Sequence, residues 1–132
     1  MIRILLVSPD RNYFTDFELV LNKNYDVETV LAETGENALK IVSDTEIDLV
    51  VTDEDLGDMT NLEFARRLIK LSPMINCASV SGLSHDAFHE ASEGLGIMWQ
   101  LPVNPGKTDA ERMMERLQTL TRISLVRSGN CS

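Results

Sequence analysis

Apolar residues along the chain keep two alternating rhythms. Short β-branched and aliphatic runs recur at Ile2 to Val7, Val27 to Leu31, Ile47 to Val51, Ile75 to Val80 and Ile97 to Leu101. Each is bounded by polar residues, the mark of a strand buried in a sheet. Between them lie longer stretches whose apolar residues return at helical spacing. Phe14, Phe17 and Leu21 predict a first helix, opened near Pro9 and closed by Asn22-Lys23-Asn24. An aromatic stripe at that spacing reads as core packing. Thr34 is placed to cap a second helix carrying Ala38, Leu39, Ile41 and Val42. Thr60 and Glu63 have the spacing of a capping box and predict a third helix that runs to Ser72-Pro73. Ser84 caps a polar fourth helix reaching Ser92, which Gly94 and Gly96 interrupt. Thr108 and Glu111 form a second capping box for the last helix, with Met113, Met114, Leu117 and Leu120 on one face.

Strand and helix thus alternate five times. Regular alternation with short connections predicts an α/β fold: a five-stranded parallel sheet, doubly wound, with helices on both faces. The domain is expected over residues 1–125. Residues 126–132 turn polar and are expected to fray. No internal repeat or low-complexity linker marks a second domain.

Bulk composition narrows the partners. At 132 residues, 43% hydrophobic and 25% charged, the chain is one globular domain large enough to fold without staples. No apolar run approaches the ~18 residues of a membrane span. The apolar stretch at the N-terminus is too short for a secretory signal, so a cytoplasmic location is expected. A net charge of −9 disfavours direct binding to nucleic-acid phosphates, while a basic partner or a divalent cation stays compatible. Cys77 and Cys131 have neither metal-ligand spacing nor a disulfide framework, and Cys77 lies in an apolar run as inert core.

The candidate chemistry sits where the third apolar run breaks into carboxylates, Asp53-Glu54-Asp55-Leu56-Gly57-Asp58. An isolated acidic loop is ordinarily just solvated. In an open parallel sheet, however, the crevice beyond the carboxyl ends of the strands is where ligands gather. The loops sharing that edge hold Ser8, Pro9 and Asp10; Asp53, Glu54 and Asp55; Ser81 and Gly82; and Leu101 and Pro102.

With an apolar strand ending in Asp53, Met59 and Leu62 after it, Ser81 closing strand four and Leu101-Pro102 closing strand five, the chain resembles the receiver domain of two-component response regulators. The resemblance spans about Ile2 to Leu120 and implies a flavodoxin-like (βα)5 fold. It implies that Asp53 stands where a partner histidine kinase delivers a phosphoryl group, and that Ser81 stands where a hydroxyl contacts the phosphoryl oxygens. Two acids after strand one, with that aspartate, would hold Mg²⁺, and a lysine before the proline of strand five would neutralise charge. This chain departs at those positions. Ser8 and Pro9 replace the two acids, with Asp10 one position late. Leu101 replaces the lysine, and Met98, with Trp99 beside it, replaces the switch aromatic. Removing one partner of a buried ion pair typically costs ~3–5 kcal/mol. A dianionic phosphoryl group among Glu54, Asp55 and Asp58 would be poorly compensated.

Three readings follow. The first is an atypical or pseudo-receiver, not an enzyme, that signals by binding a protein (a histidine kinase, an output domain or a second copy of itself). Its working surface is the side of strand four, strand five and the last helix, where Met98 and Trp99 lie. The second keeps Asp53 as phosphoacceptor, with a relocated Mg²⁺ site drawn from Asp10, Asp53 and Asp55. The third is a small phosphohydrolase of the Asp-x-Asp type using Asp53 and Asp55, though the motif falls on the third strand and lacks a following lysine. His85 and His89 share a helix face at metal-binding spacing, but no third ligand accompanies them.

Overall fold

A computed structural model describes residues 1–126. Ten elements alternate along the chain: β1 (Ile2–Val7), α1 (Thr15–Asn24), β2 (Val27–Ala32), α2 (Gly35–Asp44), β3 (Leu49–Thr52), α3 (Asn61–Leu71), β4 (Asn76–Val80), α4 (His85–Ala91), β5 (Ile97–Leu101) and α5 (Lys107–Thr121). The strands form one sheet in the order β2-β1-β3-β4-β5, and every pairing is parallel. That is the expected doubly wound (βα)5 arrangement.

The core lies in two layers, one on each face of the sheet. Ile4, Leu6 and Val51 face Phe17 and Leu21 of α1 and Met113, Met114 and Leu117 of α5. Leu5, Val7 and Val50 face Ala38 of α2 and Phe64 and Leu68 of α3. Consecutive strand residues point to opposite faces, so a central strand covered on both sides must be apolar throughout. β3 obeys this, with all four of its residues buried. The edge strand β2 does not; its middle residues are half-buried or exposed.

Three helix starts follow the sequence closely. Thr34 accepts from Asn37 N–H at 3.0 Å, Thr60 from Glu63 N–H at 3.2 Å, and Ser84 from Ala87 N–H at 3.2 Å. Gly94 and Gly96 both adopt positive φ past the end of α4, a conformation glycine takes at no steric cost.

Other boundaries differ. α1 does not begin at Pro9; a turn in which Asn12 N–H donates to Asp10 Oδ1 at 2.9 Å comes first, and the helix starts at Thr15 with no side-chain cap. The box expected at Thr108 and Glu111 is shifted. Gly106 holds the cap position, and its N–H donates to Asp109 Oδ2 at 2.9 Å, so the acid three residues past the cap is Asp109. The segment after α5 is tied to the domain through Leu125, its expected last residue, and through Val126, the first residue of the expected tail. Leu125 is buried, its carbonyl accepts from Asp26 N–H at 2.7 Å, and Val126 pairs antiparallel with Tyr25. The rest of the expected tail, 127–132, lies outside the described residues.

Candidate functional site

Strand register brings the candidate residues to one rim. Val7 pairs with Thr52, Thr52 with Ser79, and Val80 with Leu101. The residues just beyond are tied across the same line: Asp53 N–H donates to Val7 O at 2.8 Å and Ser81 N–H to Leu101 O at 3.0 Å. Asp53, Ser81 and Leu101 therefore share the carboxyl edge of the sheet, with Ser8 alongside.

The Asp53 carboxylate is half-buried and already engaged. Its Oδ2 accepts from Ser8 Oγ at 2.8 Å, and its Oδ1 from Glu54 N–H at 2.6 Å. Ser8 Oγ in turn accepts from Asp10 N–H at 3.2 Å. Ser8 thus supplies a neutral donor at a position where the resemblance called for an acid. Pro9 is exposed, 3.7 Å from where a side chain at Gly57 would begin.

The carboxylates of Asp10, Asp55 and Asp58 each accept from a backbone N–H elsewhere. Asp10 caps Asn12 N–H, and Asp55 Oδ1 accepts from Gly57 N–H at 2.9 Å within its own loop. Asp58 reaches α2, accepting from Gly35 N–H at 2.8 Å and Glu36 N–H at 3.0 Å. Burial pushes the Asp58 carboxyl up, but these N–H bonds and the Arg67 guanidinium outweigh it and hold the group below its usual range.

The set Asp10, Asp53 and Asp55 is therefore not assembled around a common point, and among the described residues no three His, Cys, Asp or Glu side chains are placed to hold a metal ion. Magnesium asks for several oxygen ligands in near-octahedral order. The donors at this rim, the twice-bonded Asp53 carboxylate, Glu54 turned to Gly82 N–H and the hydroxyls of Ser8 and Ser81, do not make such a set. His85 and His89 are exposed on α4 with rings stacked 6.4 Å apart, without a third ligand.

Among the described residues no cation answers Asp53 or Glu54. Leu101 is fully buried in the core layer beneath α1 and α5. Among the described residues, no Lys or Arg pairs with Asp10, Asp53 or Glu54. Tyr13 stands close enough to feel them. Partial burial pushes its phenol above the usual value, Asp53 and Glu54 add to the shift, and the Asn104 N–H donated to its oxygen at 2.9 Å opposes it.

Several contacts here have no signature in the sequence. Glu54 Oε2 accepts from Gly82 N–H at 2.8 Å. The buried Asn61 donates its side-chain amide to Val80 O at 2.9 Å. Thr52 Oγ1 and Ser79 Oγ, both buried, share a hydrogen bond at 2.8 Å. Such side-chain bonds between distant segments carry no periodicity, and only the fold reveals them.

No family model and no curated protein matches the sequence. Solved structures do match. A CheY-like response regulator receiver domain protein from Methanospirillum hungatei JF-1 superposes with a TM-score of 0.78 at 22% identity, covering 92% of this chain and 98% of that one. The response regulator domain of Thermotoga maritima CheB gives 0.78 at 15% identity over 94% and 98%. The chemotaxis response regulator CheY4 of Vibrio cholerae gives 0.74 at 17% over 89% and 98%. The fold is that of the response regulator receiver domain. Within the receiver fold, Asp53 lies one residue past β3 and Ser81 one residue past the neighbouring β4 at the same sheet edge, and Leu101 takes the end of β5 without bringing charge to the rim.

Proposed function

We propose that the chain is a receiver-like signalling module that works by binding another protein, and that Asp53 is not an efficient Mg²⁺-dependent phosphoacceptor. The observation that carries this reading is the engaged, uncompensated Asp53 carboxylate. Phosphoryl transfer to a carboxylate depends on positioning and on charge stabilisation. Here Ser8 and the Glu54 N–H occupy the acceptor's oxygens, Asp10 and Asp55 are committed elsewhere, and an aliphatic side chain ends β5.

The surface offered to a partner is the side of α4, β5 and α5. A groove of about 350 Å³ runs there, lined by His85, Phe88, Met98, Trp99 and Arg116. Met98 falls at a register shift of β5 against β4, which leaves it outside the ladder, and both it and Trp99 are half-buried. The occupant is a protein segment from a kinase or an output domain, or a second copy of the chain.

Magnesium titration followed by backbone amide shifts separates this reading from a phosphorylatable receiver with a relocated metal site. Residues around Asp53 and Asp10 are expected to stay unmoved at millimolar Mg²⁺. Saturable shifts confined to that rim would favour the relocated site.

A further inference from the structure

The loop from Ser81 to Ser84 joins β4 to α4 and is gripped from both sides. On one side Glu54, from the loop after β3, sets its carboxylate against Gly82 N–H at 2.8 Å. On the other, Gln100 of β5 donates its side-chain amide to Leu83 O at 2.9 Å and reaches Ser81 O at 3.4 Å. Inside the loop Ser81 Oγ accepts from Leu83 N–H at 3.1 Å. Two residues past Gly82, Ser84 caps α4, so the loop's position sets where that helix begins.

Glu54 is itself held. Its carbonyl accepts from Asn61 N–H at 3.1 Å, and Asn61 also grips the end of β4 through Val80 O. The backbone on both sides of the Glu54–Gly82 contact is therefore fixed by one buried residue. The carboxylate is next in sequence to Asp53, a like charge with no cation beside it. Coulomb repulsion alone would drive Glu54 outward into water. Glu54 is exposed, and the charge-assisted bond to Gly82 N–H is what keeps its side chain over the β4–α4 loop.

We propose that Glu54 is a built-in anionic clamp: its carboxylate permanently takes the backbone donor that the β4–α4 loop presents at this rim, and so fixes α4 and the Trp99 groove in a single state. This rests on the reading of that groove as the working surface. An anion arriving over Asp53 would find the Gly82 donor already satisfied and a negative charge in its path. The module is then constitutive, presenting its binding face with no input at Asp53.

Amide hydrogen exchange on the intact chain, with neither Mg²⁺ nor a phosphodonor present, tests this directly. Glu54→Ala is expected to speed exchange at Gly82 and Leu83 by about fivefold or more, the scale of one lost hydrogen bond, and to shift the Trp99 indole resonance. Glu54→Gln, whose carbonyl oxygen can still accept from Gly82, is expected to keep most of the protection. Unchanged Gly82 exchange in Glu54→Ala overturns the clamp. A released Gly82 with an unmoved Trp99 overturns the link to the groove. A parallel rise at the β1 amides, which report global opening, also counts against it. Phosphorylation of Asp53 in a separate assay would overturn the reading of the acceptor site while leaving the exchange result intact.

Discussion

Burial raises the pKa of both Tyr13 and Cys77, and only Tyr13 also feels nearby carboxylates. The Tyr13 phenol is pushed up first by burial and then by the negative charges of Asp53 and Glu54. Neutralising Asp53 removes one of those charges, so Asp53→Asn is expected to bring the Tyr13 pKa down toward the ordinary phenol value. A tyrosinate absorbance titration of the variant and its parent, with Tyr13→Phe to assign the signal, measures this. No movement would place Asp53 further from Tyr13 than described. Cys77 is fully buried, and burial pushes its thiol up to about 12. A thiol so rarely ionised is a poor nucleophile. Peptide mapping after alkylation of the native protein is expected to find Cys77 unmodified, and denaturant to expose it. The burial of Cys77 was legible from its apolar neighbours. The Tyr13 contact was not, because it depends on Asn104, far along the chain, folding back to donate to the phenol.

At the scale of elements, the loop after β3 is held by three anchors, and each sets a different cost. Thr60 caps α3, and Thr60→Ala is expected to lower stability by about 1 kcal/mol in urea unfolding. Asn61 is buried and ties α3 to Val80 O. Asn61→Ala strands that carbonyl and is expected to cost roughly 1–3 kcal/mol. Asp58 ties the loop to the start of α2, where a negative charge also meets the positive end of the helix. Its folded pKa lies below its unfolded one, so its ionised form stabilises the fold above the unfolded value. That contribution fades as pH falls from the ordinary carboxylate range through the lower folded value. Because Asp58 is exposed and solvent screens its charge, Asp58→Asn is expected to be less stable by at most about 0.5 kcal/mol near neutral pH, with the gap closing as the parent is acidified. Helix starts at Thr34, Thr60 and Ser84 were readable because a capping hydroxyl acts within three residues. The start of α1 was misplaced because Asp10 spends its carboxylate on a turn, and the start of α5 because Gly106 with Asp109 makes a cap that needs no hydroxyl.

For the whole molecule, the parallel sheet and its rim were legible because periodicity and strand order suffice to place them. Apolar runs at five places, separated by helical spacing, leave few topologies open, and these put Asp53, Ser81 and Leu101 on one edge. What those residues do at the edge was less legible. The sequence allowed Asp10 and Asp55 as relocated ligands; the fold commits each to a nearby N–H. Nor could it foresee that Glu54 would reach the β4–α4 loop, because that contact depends on how two loops meet. The molecule is a receiver fold in which the Asp53 carboxylate accepts two internal hydrogen bonds, with a groove at Met98 and Trp99 on the side of α4, β5 and α5.

The most direct measurement is intact mass after incubation with Mg²⁺ and a small phosphodonor, acetyl phosphate or phosphoramidate, with Asp53→Asn alongside. With Asp53 closed to phosphoryl transfer, both proteins keep an unmodified mass. A stoichiometric phosphoryl adduct on the parent that is absent from Asp53→Asn would contradict it.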